Sequence, residues 1–501
     1  PPCTSSPWVA THPVRLSHIT DETKDFAIWP RDVSPTLTFD FGHEVHVNEI
    51  TIKGYWSHVS DHDLPVQPLR FTAMAADGRV LGEAVQEKAL DGKSDLVYLI
   101  KTRDVTTARL MIRCEPRTGA ALMIREITVL GVDPKGVAPA SEATGGVQIA
   151  GLDARDTNAD GAAEVLLGTQ KGRLVLLNAK GVPILDKTFT APINDVALAD
   201  LEGDGSFEML TGSEDATTRC FDPAGKEKWE TSFRFYFRPG HVTVLRPADL
   251  DGDGIKEVVV GTFNSMVHAL SATGKVLWDA QVYHHWTKSL DIADIDGDGS
   301  KECVFGTSYS CVDIKRADGS NFWRRSAGGK FYGDVACADL DGDGTLDVLA
   351  GSKNQCVIRW DDAGKSRVRH DTGATVNAVT TADLDGDGKP DILAGSSSFC
   401  VYALKADGEL LWTRNLGDEV LQLETGELNG QVGPEIVAGC ADGRVVVLDR
   451  TGAILGHYQT GGPVNQLRLA DLNGDGRPEA IAASWDGTVY ALGLAPNRVK
   501  Q

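Results

Sequence analysis

From residue 147 to the end of the chain, short apolar runs alternate with a recurring polar stretch. The unit is clearest at "ADLDGDGIKEVVVG" (248–261), an apolar approach, a Gly- and Asp-rich loop and a continuous apolar run. A "VYALKADG"-like and an "ELLWTRN"-like segment follow in most copies. Apolar runs of five or six residues between Gly/Asp turns predict β-strands. Each copy therefore predicts four strands: one before the acidic loop, one after it, then two more. Eight copies occur, anchored by Asp156, Asp200, Asp249, Asp294, Asp339, Asp383, Glu427 and Asp471, about 44 residues apart with one exception. Four-stranded units of this length stacked radially are the blades of a β-propeller. Residues 147–501 are thus expected to form an all-β, eight-bladed propeller, with seven blades and one irregular unit as the alternative. The last copy lacks an obvious fourth strand, since "APNRVKQ" is weak. A strand from near residues 136–146 is expected to close the ring.

Residues 1–131 carry no repeat. Alternating stretches at 35–42, 46–56, 70–83, 108–116 and 122–131, with Gly, Asp and Pro between them, predict an all-β sandwich. The Pro-, Gly-, Ala- and Ser-rich "VDPKGVAPASEATGG" (132–146) reads as a linker.

Two resemblances follow. Through "FAIWPRD", "LTFDFGHEVHVNEITIKG" and "IREITVLG", the first piece resembles discoidin-like (coagulation-factor C-type) jelly rolls. That implies an accessory domain binding glycans or membrane surfaces, although a packing domain without a ligand fits the residues equally. The second piece resembles the FG-GAP/VCBS repeat family of integrin α-subunits and many secreted bacterial proteins. The repeat is specific for fold and not for activity.

Composition narrows the partners. The net charge of −22 excludes a generic nucleic-acid binder, and much of the acid sits in the repeated loops. No apolar run reaches the roughly 18 residues that span a bilayer. The start "PPCTSS" reads as a trimmed or mature end. A secreted, periplasmic or cell-surface monomer is expected. Nine cysteines do not make a disulfide scaffold. Cys311, Cys356 and Cys400 fall at one place in successive repeats and read as packing residues. Cys3 and Cys114 are a candidate disulfide, which would suit secretion.

The acidic loops place oxygen donors at positions one, three, five and nine, with glycines folding the chain between them. Converging oxygens on a tight loop suit a hard cation, Ca²⁺, and the family resemblance implies the same ion. The expected ligands are Asp156, Asn158, Asp160 and Glu164; Asp200, Glu202, Asp204 and Glu208; Asp249, Asp251, Asp253 and Glu257; Asp294, Asp296, Asp298 and Glu302; Asp339, Asp341, Asp343 and Asp347; Asp383, Asp385, Asp387 and Asp391; and Asp471, Asn473, Asp475 and Glu479. The seventh loop has Gln431 in place of the central Asp and is not expected to bind. The competing reading is a set of Asx-type turns that need no metal. The ions would be structural, and no catalytic metal is expected.

Ligand chemistry usually sits where loops depart from a uniform scaffold. Connections between blades share one face with the second-to-third-strand turns, opposite the acidic loops. Four connections are plain, among them "TFTAPINDV" and "DTGATVNAV". Three consecutive ones are not. "ETSFRFYFRPGHVTV" (230–244) brings Arg234, Tyr236, Arg238 and His241. "QVYHHWTKS" (281–289) brings Tyr283, His284, His285, Trp286 and Lys288, and "GGKFYGDV" (328–335) brings Lys330, Tyr332 and Asp334. The turn "TSYSC" adds Tyr309. His268 aligns with Tyr402 and Tyr490, and Trp229, Trp278, Trp323 and Trp412 recur in the fourth strand, so these read as packing residues.

Aromatics suit stacking on sugar rings, and Arg and Lys suit a carboxylate or sulfate. His and Tyr exchange protons near neutral pH. Together they match β-elimination on a uronic-acid polysaccharide. Arg238, aided by Lys288, would neutralise the carboxylate. His284 or His285 would take the C5 proton, and Tyr236, Tyr309 or Tyr332 would protonate the departing O4. Arg234, His241, Trp286, Lys288 and Lys330 would bind substrate. The layout also resembles the propeller polysaccharide lyases, such as the ulvan and rhamnogalacturonan lyases. The rivals are a non-catalytic glycan-binding or adhesion protein and a glycoside hydrolase or dehydratase. For a hydrolase only Asp334 and Asp279 lie near as carboxylates. A zinc site at His284, His285 and His241 is a further rival.

Overall fold

A computed structural model describes residues 27–29, 36–54, 68–75, 77–85, 96–116, 122–124, 126–132, 147–235, 238–282, 286–308, 311–326, 334–430 and 433–493. The chain divides into two compact units: residues 1–138 with 456–461, and the remainder.

In the first unit an antiparallel five-stranded sheet runs in the order Val80–Val85, Pro68–Ala75, Leu96–Pro116, Thr36–Gly54, Glu126–Val132. Ala27–Trp29 pairs separately with Leu122–Ile124. The expected strands 35–42 and 46–56 are one strand, Thr36–Gly54, whose pairing shifts register between Asp40 and Val45 and between Val47 and Glu49. The expected strand 70–83 is a hairpin instead, and Gly78 in its turn has φ +81°. Ile50, Phe71, Ile100, Leu110 and Ile112 are fully buried.

The second unit repeats one design. Among the described residues it holds seven four-stranded antiparallel sheets and a final three-stranded one. The third sheet is typical: Val242–Ala248, Glu257–Thr262, Met266–Leu270 and Val276–Gln281, paired in sequence order. Its second strand is buried along its whole length and its fourth is largely exposed. That gradient explains why the second strand reads as a continuous apolar run rather than an alternation. The eighth sheet returns to the first: Asn465 Nδ2 donates to Ile149 O, and Gln466 Nε2 donates to Ala150 O at 2.9 Å. The first strands of the eighth and first sheets are therefore neighbours. The strand expected from 136–146 lies outside the described residues, as does Cys3 of the expected Cys3–Cys114 pair.

Neighbouring sheets are fastened at both radii. Near the axis, Asp153, Asp195 and Asp291 accept the backbone N–H of Leu198, Leu245 and Cys337 in the next sheet, at 2.8–2.9 Å. At the outside, the indoles of Trp229, Trp278, Trp323 and Trp412 donate to Ala272, Ala317, Asp362 and Arg450 carbonyls of the next sheet, at 2.7–3.0 Å. These tryptophans are the packing residues the repeat predicts. The glycine near the end of the second strand in seven of the eight copies marks close approach: a Cβ on Gly261 would lie 2.1 Å from Thr287 Oγ1. His268 is packed too, 5% exposed, its ring tilted against Phe233 with centroids 4.4 Å apart, and hydrogen-bonded through Nδ1 to Asp279 Oδ1. Burial holds its pKa below the ordinary value. Asp279 is thus committed to His268 rather than to the irregular connections. Cys311, Cys356 and Cys400 are free thiols, as packing residues would be.

Candidate functional site

The two rims of the ring carry different chemistry. On one, the acidic loops share one wiring, complete in all but the seventh, where Glu427 replaces the first Asp and, among the described residues, only the last bond is kept, from Leu428 N to Glu435. The first Asp accepts the N–H of the glycine five residues on, as Asp249 does from Gly254 at 3.0 Å. The fifth-position Asp accepts two residues on, as Asp253 does from Ile255 at 2.7 Å. The ninth acid reaches back to the second position, as Glu257 does to the Leu250 N–H at 3.0 Å. These are the Asx-type turns of the competing reading, and they coexist with a cation cradle.

Four loops gather three carboxylates with ligand oxygens within 4.8 Å of one another: Asp249/Asp251/Glu257, Asp294/Asp296/Glu302, Asp339/Asp341/Asp343 and Asp383/Asp385/Asp391. These groups could hold metal ions. In the fourth loop Asp296 Oδ1 and Glu302 Oε1 are buried oxygens without a hydrogen-bond donor, which is costly unless a cation answers them; Arg316 answers in part, its Nη1 3.2 Å from Asp296 Oδ2 and 3.7 Å from Glu302 Oε1. Burial and the neighbouring Asp251 and Asp253 likewise push the Glu257 carboxyl up, and burial with Asp385, Asp387 and Asp383 pushes up Asp391.

The other loops find internal substitutes for a cation. Lys228 Nζ bridges Glu202 (3.1 Å) and Glu208 (2.9 Å) in the second. Asn158 and Asn473 donate their amides to Glu164 and Glu479 in the first and eighth. In the seventh, Asn429 donates to Glu435. The fifth is intermediate: Arg359 Nη2 takes Asp341 at 2.5 Å and Asp347 at 2.7 Å, leaving Asp347 out of the carboxylate group.

The opposite rim carries the irregular connections. Between the second and third sheets, Arg234–Phe235 and Arg238–Pro239 form a two-rung hairpin with both arginines exposed. It is moored where Gly240 N donates to Phe233 O at 3.0 Å. His241 is half-buried and its Nδ1 hydrogen-bonds the Glu214 carbonyl. Trp286 is half-buried, and its carbonyl accepts the Ser308 N–H at 2.9 Å. Phe263, in the second-to-third-strand turn of the third sheet, is 53% exposed. It stacks on Trp286 with ring centroids 5.5 Å apart at 30°, and His241 meets its edge at 6.3 Å. The sequence reading passed over Phe263. Its signal was there: the same turn position holds Gln170, Glu214, Ser308, Lys353, Ser397 and Ala441 in other copies.

Lys288 keeps an open surface, yet the surrounding protein, with Lys353 adding to it, lowers its pKa against the pull of Asp334. Asp334 accepts the Val335 N–H at 3.0 Å. Burial, with Asp291 and Glu424 adding and Arg246 opposing, pushes its carboxyl up to about 6. The structure thus brings Arg234, Arg238, His241, Trp286 and Lys288 to one rim. Tyr236, Tyr283, His284, His285, Tyr309, Lys330 and Tyr332 lie outside the described residues.

The rim thus offers an aromatic shelf and exposed cationic side chains, which suit a planar or ring-shaped ligand carrying negative charge. Residues 339–394, the fifth acidic loop and its continuation into the sixth, match the FG-GAP-like repeat. No curated protein matches the chain. Among solved structures, Sqt1 of Saccharomyces cerevisiae is similar at a TM-score of 0.58 and 12% identity, over 70% of this chain and 97% of that one. The computationally designed Ika8 protein gives 0.54 at 17% identity, over 70% and 97%. BamB from Moraxella catarrhalis gives 0.50 at 16% identity, over 68% and 94%. At these identities the likeness is one of fold: an all-β, propeller-like array of four-stranded sheets that contains an FG-GAP-like repeat.

Proposed function

We propose that this protein binds a uronic-acid polysaccharide on the rim of an eight-bladed FG-GAP/VCBS-type propeller and cleaves it by β-elimination. The observation that carries the reading is the Phe263–Trp286 shelf beside Arg234, Arg238 and Lys288. The aromatic faces would stack a sugar ring. Arg238, with Lys288, would hold and neutralise its carboxylate, which acidifies the C5 proton. His284 or His285 would remove that proton, and Tyr236, Tyr309 or Tyr332 would protonate the O4 leaving group. Ca²⁺ in the acidic loops would stiffen the opposite rim. The first unit, read as a discoidin-like sandwich, would hold the enzyme near glycan, and the whole would work outside the cytoplasm.

The test is incubation with a panel of uronate polysaccharides in Ca²⁺ while following the ultraviolet absorbance of unsaturated chain ends. A rise on one polymer is expected. Binding without any rise would make the protein a glycan-binding or adhesion module, and neither binding nor a rise would remove the glycan reading altogether.

A further inference from the structure

A second aromatic platform stands on the same rim. Trp485, in the second-to-third-strand turn of the eighth sheet, is 55% exposed. It occupies the position that Phe263 holds in the third sheet. Both backbones are pinned alike: Phe263 N donates to His241 O at 2.8 Å, and Trp485 N to Pro463 O at 3.0 Å. The Trp485 turn is held rigidly. Gly487 N donates to Ser484 O at 3.0 Å, and Asp486 accepts both the Thr488 N–H at 2.8 Å and the Tyr490 hydroxyl at 2.7 Å. A large indole presented to solvent on a fixed turn loses little freedom on binding a flat face.

The ring closure places the eighth sheet beside the first, so the two platforms are separated only by the turns of the first and second sheets. Those turns are polar. Gln170 sits in the first, its amide donating to Asn194 Oδ1 at 3.2 Å, and Glu214 in the second. Two stacking faces with hydrogen-bonding groups between them match a chain of sugar rings and do not match a single small molecule.

We infer that Trp485 is a distal subsite, so that the rim takes an extended anionic polysaccharide reaching from Phe263–Trp286 across the first two sheets to Trp485. This rests on the glycan reading of the Phe263–Trp286 shelf and adds a requirement for chain length.

The experiment uses the full chain with Ca²⁺ in affinity electrophoresis through gels containing polygalacturonate, alginate or hyaluronan. Titrations with the uronate-containing disaccharide of whichever polymer retards the protein accompany it. Trp485→Ala and Phe263→Ala are compared with the native protein, with melting temperature as the folding control. Trp485→Ala is expected to weaken polymer binding by about three- to tenfold, the worth of one stacked ring, and to leave disaccharide binding unchanged. Phe263→Ala is expected to weaken both. Should Trp485→Ala bind polymer as the native protein does while Phe263→Ala fails, the distal subsite is wrong and the shelf stands. If no polymer retards the native protein, or if Phe263→Ala leaves every retained polymer bound, the glycan reading falls and this inference with it. Should sedimentation show that Trp485→Ala turns a native dimer into a monomer, Trp485 is a contact between copies and the inference is overturned.

Discussion

The two rims of the ring grow from the same strands yet follow opposite rules. On the acidic rim the loops share one set of hydrogen bonds, the seventh only in part, and they differ in what answers the charge: Lys228, Arg316, Arg359 or asparagine amides. On the other rim the turns share one backbone pinning but not their side chains, which run from Ala441 to Phe263 and Trp485. A feature repeated around a ring answers the needs of the fold. A feature confined to one sector costs the fold something or nothing and is held by use. On the proposed reading the acidic rim serves stability and the irregular rim a ligand.

That division breaks most sharply at the histidines. On the elimination reading, His284→Ala or His285→Ala lowers turnover by about 10²–10⁴-fold, the usual worth of a general base, while the melting temperature stays within a degree or so. Unsaturated-end absorbance and thermal melts read both. Full activity in both variants would remove the histidines from the mechanism.

The acidic rim should behave in the converse way. Chelation is expected to lower the melting temperature by several degrees without altering the retardation of Phe263→Ala relative to native protein. Asp251→Ala, in a loop where no Lys or Arg ion pair is found among the described residues, should lose part of the Ca²⁺ benefit, on the order of 2–3 kcal/mol per saturated site. Glu202→Gln should lose none, because Lys228 already answers the second loop. Equal Ca²⁺ responses from both variants would show that internal cations do not replace the metal.

Much of this was legible in the sequence, for physical reasons that differ by region. The four-strand unit repeats, so each strand was announced several times over, and the outer tryptophans declared themselves as packing by recurring. The compensating cations were not legible. Arg316 lies 20 residues beyond Asp296, and Arg359 lies 18 beyond Asp341; only the pairing of third strand on second brings each back to its loop. In the first unit, alternation does not reveal that a strand continues through a bulge, so Thr36–Gly54 read as two strands. Phe263 and Trp485 were not legible, because a single aromatic in a short turn is unremarkable until its exposure is known.

Between the rims lies the axis, where Asp334 sharpens the comparison. Its folded pKa of about 6 stands above the ordinary carboxyl value, so the native state binds its proton more tightly than the unfolded chain does. Stability from this group is therefore present at low pH and declines as pH rises from about 4 to 6. Asp334→Asn keeps an oxygen for the Val335 N–H and removes the charge. It is expected to raise the melting temperature by about 2–4 °C at pH 8 and to change little at pH 4. A gain of the same size at both pH values would mean that the charge is not the cause.

The smallest effect tests whether uniformity on the acidic rim is itself stabilising. Ala159 has φ 58°, at the place where the other loops carry Gly203, Gly252, Gly297, Gly342, Gly386, Gly430 and Gly474, all with φ between 69° and 83°. A Cβ in this left-handed region costs about 1 kcal/mol, whereas glycine costs up to about as much by loosening the unfolded chain. Ala159→Gly should therefore gain about 0.5 kcal/mol, near 1 °C in a domain of this size. A gain appearing only in Ca²⁺ would show that the alanine had kept Asp156 and Asn158 from a cation. A gain independent of Ca²⁺ would leave the first loop as a turn. Loss of stability would show that the repeat tolerates its exception because the unfolded chain, and not the loop, sets the balance there.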